Sequence, residues 1–159
     1  MKKFFGFCLV FLLFGAAYGF SQIGTALGLP GNITTYRCTG LKSSPTNADT
    51  APDQSGTVQS VSVQNTTNGL YVQINYKNGT TESLTLIMSG AKRGDEYTSF
   101  YDVSHINSQP ASNLFAEVLK GYMGEIHTIS INNSPVLFEE RIGFYHTGST
   151  LIKIGLQPW

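Results

Sequence analysis

The chain has 159 residues with ten basic and ten acidic side chains, a balance that lacks the electrostatic footprint needed to bind a phosphate backbone. Charged residues make up 13%, about half the usual share, while Ser, Thr, Asn, Gln and Gly abound, so the surface is neutral and polar and nucleic-acid recognition is excluded.

Lys2 and Lys3 precede an almost unbroken apolar run from Phe4 to Phe14, the pattern of a secretory signal peptide. Ala17-Tyr18-Gly19 places small residues at the positions a signal peptidase reads, so cleavage is expected after Gly19, with Ser21 as a second choice. The run falls short of the roughly 20 apolar residues of a retained spanning helix. Neither Cys8, inside the run, nor Cys38, after Thr-Tyr-Arg, fits a lipoprotein site. The expectation is therefore a signal peptide over residues 1–19 and one β-rich domain over 20–159, periplasmic or secreted, touching the membrane only transiently through its signal. Removing Lys2 and Lys3 leaves eight basic against ten acidic residues, a net charge near −2. Cys38 is then the single cysteine, so no intrachain disulfide can form and the fold rests on its core.

Residues 20–32 are Gly-rich and read as a flexible lead-in. Ile33 to Cys38 reads as a first strand with Tyr36 and Cys38 on one face, and the Pro/Ser/Asp-rich stretch 40–56 as a flexible loop. Thr57 to Asn65 comes next as a strand, ended by Asn68-Gly69 as a turn with positive φ. Beyond it, Leu70, Val72, Ile74 and Tyr76 alternate with Tyr71, Gln73, Asn75 and Lys77, the period of a sheet buried on one face. Asn78-Gly79 then predicts a hairpin over 69–88 with a type I′ turn, because Leu84, Leu86 and Met88 resume the alternation. Ser89 to Asp95 reads as a charged loop and Tyr97 to Val103 as an aromatic strand. The spacing of Leu114, Phe115, Val118 and Leu119, with Pro110 ahead and Gly121 behind, predicts one short helix over about 110–120. Glu125 to Ile131, Val136 to Phe144 and Thr150 to Leu156 complete the strands. The resulting fold class is mainly β, an antiparallel β-barrel or β-sandwich with one helix.

Chemistry-bearing residues are sparse. His105, His127 and His146 lie on separate segments without metal-ligand spacing, and His127, in phase with Ile129 and Ile131, reads as a core side chain. There is no GxSxG elbow, and the adjacent pairs Glu139-Glu140 and Asp95-Glu96 point to opposite faces of a strand. No catalytic, cofactor-binding or metal-binding residue is therefore assigned, and the chain is expected not to be an enzyme. Asn32, Asn65, Asn78 and Asn132 head N-x-[ST] triplets of the kind that abundant Ser and Thr produce by chance.

Tyr36-Arg37-Cys38, the hairpin through Asn78-Gly79 and the stretch Met88-Ser89-Gly90-Ala91-Lys92 partly resemble bacterial C-type lysozyme inhibitors of the periplasm, over less than half the mature chain. The resemblance implies a small β-barrel with Ser89 and Lys92 near an inhibitory loop, but the second cysteine of that family is missing and the expected helix and last three strands have no counterpart. Independently, Ser89, Lys92, Arg93, Asp95, Glu96 and Tyr97 concentrate charge and one aromatic ring in a chain otherwise poor in charge, which marks a candidate partner-binding loop. The expected partner is a protein or small-molecule ligand. Two alternatives are an outer-membrane β-barrel and an unrecognised extracytoplasmic enzyme or metal-binding protein. The membrane barrel fits the chain length and terminal Trp159, but Ile152, Ile154 and Leu156 lie out of phase with that tryptophan.

Overall fold

The computed structural model describes residues 31–92, 98–133, 135–137, 144–146 and 148–159. The expected signal peptide, its expected cleavage site and most of the expected lead-in lie outside the described residues.

Eleven strands appear in chain order: β1 (Ile33–Ser43), β2 (Val58–Thr66), β3 (Gly69–Tyr76), β4 (Thr81–Lys92), β5 (Thr98–Ile106), β6 (Gln109–Pro110), β7 (Phe115–Lys120), β8 (Ile126–Asn132), β9 (Pro135–Leu137), β10 (Phe144–His146) and β11 (Thr150–Pro158). The sheet runs β4-β3-β2-β1-β11-β8-β7-β5, and pairing of β5 back onto β4 closes it into an antiparallel barrel of eight strands. Closure rules out the sandwich and removes the free edges that an open sheet of this length would expose. A short pair, β9 with β10, stands apart between β8 and β11.

Alternation dictates the interior. Val61 and Val63 of β2, Leu70, Val72 and Ile74 of β3, Leu84 and Leu86 of β4, Val118 of β7, Ile129 and Ile131 of β8 and Ile154 and Leu156 of β11 all point inward and are buried in one cluster. Their intervening neighbours face water. On the outer face of β2 and β3, Asn75 Nδ2 donates to Ser60 Oγ at 3.2 Å and Gln73 Nε2 donates to Asn75 Oδ1 at 2.8 Å. Burying apolar surface at roughly 25 cal/mol per Å² is what holds such a chain together without disulfides. Irregularities keep the phase true: β1 bulges between Cys38 and Gly40, which returns Leu41 to the inside.

The segment 110–120 contains no helix, which corrects the expectation from its apolar spacing. Phe115–Lys120 is strand β7, paired with Thr98–Asp102 of β5 on one side and with β8 on the other. The same residues satisfy a period of two, because Ala116 and Val118 are fully buried while Leu119 points out. A helix here would leave β5 and β8 with open edges, so barrel closure overrides the local pattern.

Turn chemistry also differs from expectation. At Asn78-Gly79 only Gly79 has positive φ, and the Gly79 N–H donates to the Tyr76 carbonyl at 3.0 Å. That is a type I turn followed by a left-handed glycine, not type I′. Two consecutive positive φ values, the type I′ requirement, occur instead at Asn107 (49°) and Ser108 (64°), between β5 and β6. Gly69 is a strand residue, paired with Thr66 and lacking positive φ, and a Cβ there would collide with the Leu86 carbonyl. Its role is close approach between β3 and β4.

The polar stretch expected as a loop from residue 40 is strand through Ser43, followed by 3-10 turns at Ala48–Thr50 and Ser55–Thr57. Asp53 Oδ1 accepts from the Leu41 N–H at 2.9 Å and the Gln54 N–H donates to the Leu41 carbonyl at 2.7 Å, latching the segment to β1. The last expected strands are Ile126–Asn132 and Thr150–Pro158, whereas Val136 to Phe144 is represented only by the paired ends β9 and β10.

Candidate functional site

The middle of the barrel is filled. Val61, Val72, Val118, Ile129, Ile131 and Ile154 have no exposed surface, so the interior can open only toward its two ends. One end, here the mouth, carries Ser43, Tyr76, Thr81 and Ile106; the other, the base, carries Ile33, Thr66, Gly69, Lys92 and Lys120.

At the mouth the inward alternation stops one layer short. Tyr76 continues the inward phase of Ile74, and Glu82, directly opposite Ile74, continues that of Leu84. Neither closes the interior with apolar surface. Tyr76 Oη donates to Glu82 Oε2 at 2.8 Å, and the space beneath is a pocket of about 180 Å³. Leu41, Ile74, Leu84, Ile106 and Ile152 form its apolar walls, while Gln54, Ser83 and Asn107 stand at the rim. Asn107 is pinned there, its Oδ1 accepting from the Ser83 N–H at 2.8 Å. Burial first, then the hydrogen bond and charge of Glu82, push the Tyr76 pKa well above its ordinary value, so the hydroxyl stays protonated and keeps its donor role. An adjoining cleft, lined by Thr57, Lys77, Asn78 and Thr80, shares Gln54, Tyr76 and Glu82 with this pocket. Lys77 Nζ is committed there to the Gly56 carbonyl at 2.7 Å.

The base is built from outward-facing strand residues, from turns, and from Met88, where the inward phase of β4 emerges into water. Among the described residues, seven large apolar side chains are exposed: Ile33, Ile87, Met88, Leu119, Tyr122, Met123 and Trp159. All belong to this end, because Ile87 faces Gly69, Leu119 faces Thr98, and Trp159 comes directly after the Pro158 that pairs with Tyr36. Tyr122 and Met123, 86% and 84% exposed, form the tip of the β7–β8 turn, where the Gly121 N–H donates to the Glu125 carbonyl. Cations accompany them. The Arg37 guanidinium lies 5.2 Å from the Trp159 ring centre, and Lys120 Nζ is 6.0 Å from that of Tyr101. A shallow groove of about 530 Å³ runs between the β2–β3 turn, Ile87, Met88 and Lys120.

The described start of the candidate loop, Ser89 to Lys92, is the end of β4 at this base. Ser89 Oγ donates to the Phe100 carbonyl at 3.0 Å, so the hydroxyl is used within the β4–β5 hairpin. Lys92 ends β4, opposite Ser99, after an irregularity in which Met88 to Lys92 spans Tyr101 to Ser99, a bulge of the kind that redirects a strand end. Arg93, Asp95, Glu96 and Tyr97 lie outside the described residues.

The histidines do not behave as their spacing implied. His127 is a surface residue, 47% exposed, its Nε2 3.4 Å from Glu125 Oε1, because a register shift between Leu119 and Lys120 turns it out of the isoleucine phase. This corrects its reading as a core side chain. His105 is exposed near the mouth with Nδ1 3.1 Å from Ser104 Oγ, at the other end of the barrel from His127, and only the backbone of His146 is described. Among the described residues no group of three His, Cys, Asp or Glu side chains is placed to hold a metal. Cys38 packs against the core with Sγ donating to the Gly40 carbonyl at 3.3 Å, and burial pushes its pKa up, holding it as the thiol.

No family model matches the chain, and neither curated proteins nor solved structures give a significant match. Sequence reasoning missed both ends. The base was legible in one place, the Gly121-Tyr122-Met123-Gly124 turn, where glycines bracket two large apolar residues that no strand period can bury. The mouth pocket had no linear signal, since its lining comes from five strands and two connecting segments.

Proposed function

We propose that the mature chain is an exported binding or inhibitory module that engages a protein partner through the base of its barrel, beside the Ser89–Tyr97 loop. One observation carries this reading: every large apolar side chain exposed among the described residues lies at that end. An apolar patch rimmed by Arg37 and Lys120, with Tyr122, Met123 and Trp159 as anchors, has the composition of a protein interface. The apolar interior and polar exterior are the reverse of a barrel that faces lipid, which favours this reading over the outer-membrane one.

The test immobilises the exported protein, whose intact mass is expected to start at Phe20, and offers it the extracytoplasmic fraction of the producing cells. A discrete partner is expected on the wild type and on neither Tyr122→Ser/Met123→Ser nor Lys92→Ala/Arg93→Ala, with the same thermal midpoint for all three proteins. Equal capture by both variants would place the interface elsewhere.

A further inference from the structure

We propose that the mouth pocket binds a small primary amine carrying one phenyl or branched aliphatic group, its ammonium donating to Glu82 and its apolar body resting on Leu41, Ile74, Leu84, Ile106 and Ile152. Size limits the body. A cavity of about 150 Å³ holds one benzene, so a pocket of about 180 Å³ takes a single ring with a short chain and little more. The walls supply apolar contact, with Leu41, Ile74 and Leu84 each 3% exposed and Ile106 and Ile152 packed half-buried around them.

Charge selects the head group. Glu82 Oε2 is taken by the Tyr76 hydroxyl, while Oε1 has no hydrogen-bond partner among the described residues, so one carboxylate oxygen is open to a donor at the pocket rim. Among the described residues no cation lines the pocket. Lys77 lies in the adjoining cleft, held by the Gly56 carbonyl. A ligand carboxylate would therefore meet like charge, whereas an ammonium gains a charge-assisted hydrogen bond beside apolar surface. The arrangement is that of a pre-formed ligand site in a barrel mouth: apolar walls, few polar groups, and those oriented by their own hydrogen bonds. Tyr76 orients Glu82, and the Asp53 and Gln54 latch to Leu41 holds the rim loop in place.

The experiment titrates the protein at neutral pH with phenethylamine, and with phenylpropionate as a body of similar size and opposite charge, following backbone amide shifts by NMR. Phenethylamine is expected to shift Leu84, Ile106 and Ile152, with phenylpropionate weaker by at least about tenfold. Glu82→Gln, an exposed position that tolerates the change, is expected to remove that discrimination, and Ile152→Phe, which fills the pocket, to abolish shifts from both compounds. Equal binding of the two compounds by the wild type, discrimination surviving in Glu82→Gln, or shifts confined to the base would each overturn the proposal. Partner capture at the base is expected to be the same for Glu82→Gln as for the wild type, so the two readings fail separately.

Discussion

The mouth and the base are the two ends of one alternating pattern, and they finish it in opposite ways. At the mouth the inward residues turn polar before the interior is full, so Tyr76 and Glu82 overhang a small walled pocket. At the base it is the outward phase that changes character, with Ile87 and Leu119 placed where serine, glutamine and asparagine stand elsewhere on the wall, while Met88 carries the inward phase of β4 out into water. An inward departure from the pattern makes a concave site fit for a small molecule, and an outward one makes a broad patch fit for a macromolecule. The contrast rests on the rigid filled layer between the ends, and that layer is the first thing to attack.

Val72 is fully buried in it and Gln73, its neighbour, faces out. Val72→Asp is expected to cost about 4 kcal/mol, because it strands a charge among valines, while Gln73→Asp costs about 1 kcal/mol or less. Urea unfolding of both variants reads the difference, and similar losses would mean that the strand faces are assigned wrongly.

The ends also differ in what acid does to them. Hydrogen bonds from the Leu41 N–H and then from the Ser55 N–H and hydroxyl hold the Asp53 pKa below its ordinary 3.8. A carboxylate depressed in the folded state adds stability above its unfolded pKa, and that stability is lost as pH falls through the folded value. Wild-type urea midpoints are therefore expected to drop below about pH 4, and Asp53→Asn to lower the neutral midpoint while flattening that acid limb. Amide exchange in Asp53→Asn is expected to quicken around Leu41 and Gln54 at the mouth and to stay unchanged at Lys120 and Ile126. Uniform acceleration would show that the latch supports the whole barrel.

The smallest effect belongs to the base. Because Tyr122 and Met123 are almost wholly in water, Tyr122→Ser with Met123→Ser is expected to change unfolding free energy by no more than about 0.5 kcal/mol, measured by the same urea titration. A larger loss would mean that the turn packs onto the barrel, and the contrast with the mouth would weaken.

Much of the wall could be read from alternation. Leu70, Val72 and Ile74 against Leu84 and Leu86 form the hairpin that their period requires, because a pleated strand with one wet face has a single arrangement that buries its apolar residues. Of the stretch expected as a charged loop, Ser89 to Lys92 belongs instead to β4, with Ser89 bonded to the Phe100 carbonyl, and residues 93–97 lie outside the described residues. His127 and the 110–120 segment were misread for one shared reason: a bulge or a closure requirement depends on the neighbouring strand and leaves no mark in local spacing.

What the sequence determined by itself is the local grammar of the protein: strands of one wet and one dry face, a low surface charge, and a single unpaired thiol in the expected mature chain. Whether those strands close, where the type I′ turn falls, and that Leu41, Tyr76, Glu82, Ile106 and Ile152 converge on one pocket were decided only in the tertiary structure. The physical reason is that a period of two tells each residue which side of a sheet it occupies, but the partner strand, the register and the curvature are set by contacts between segments far apart in the chain.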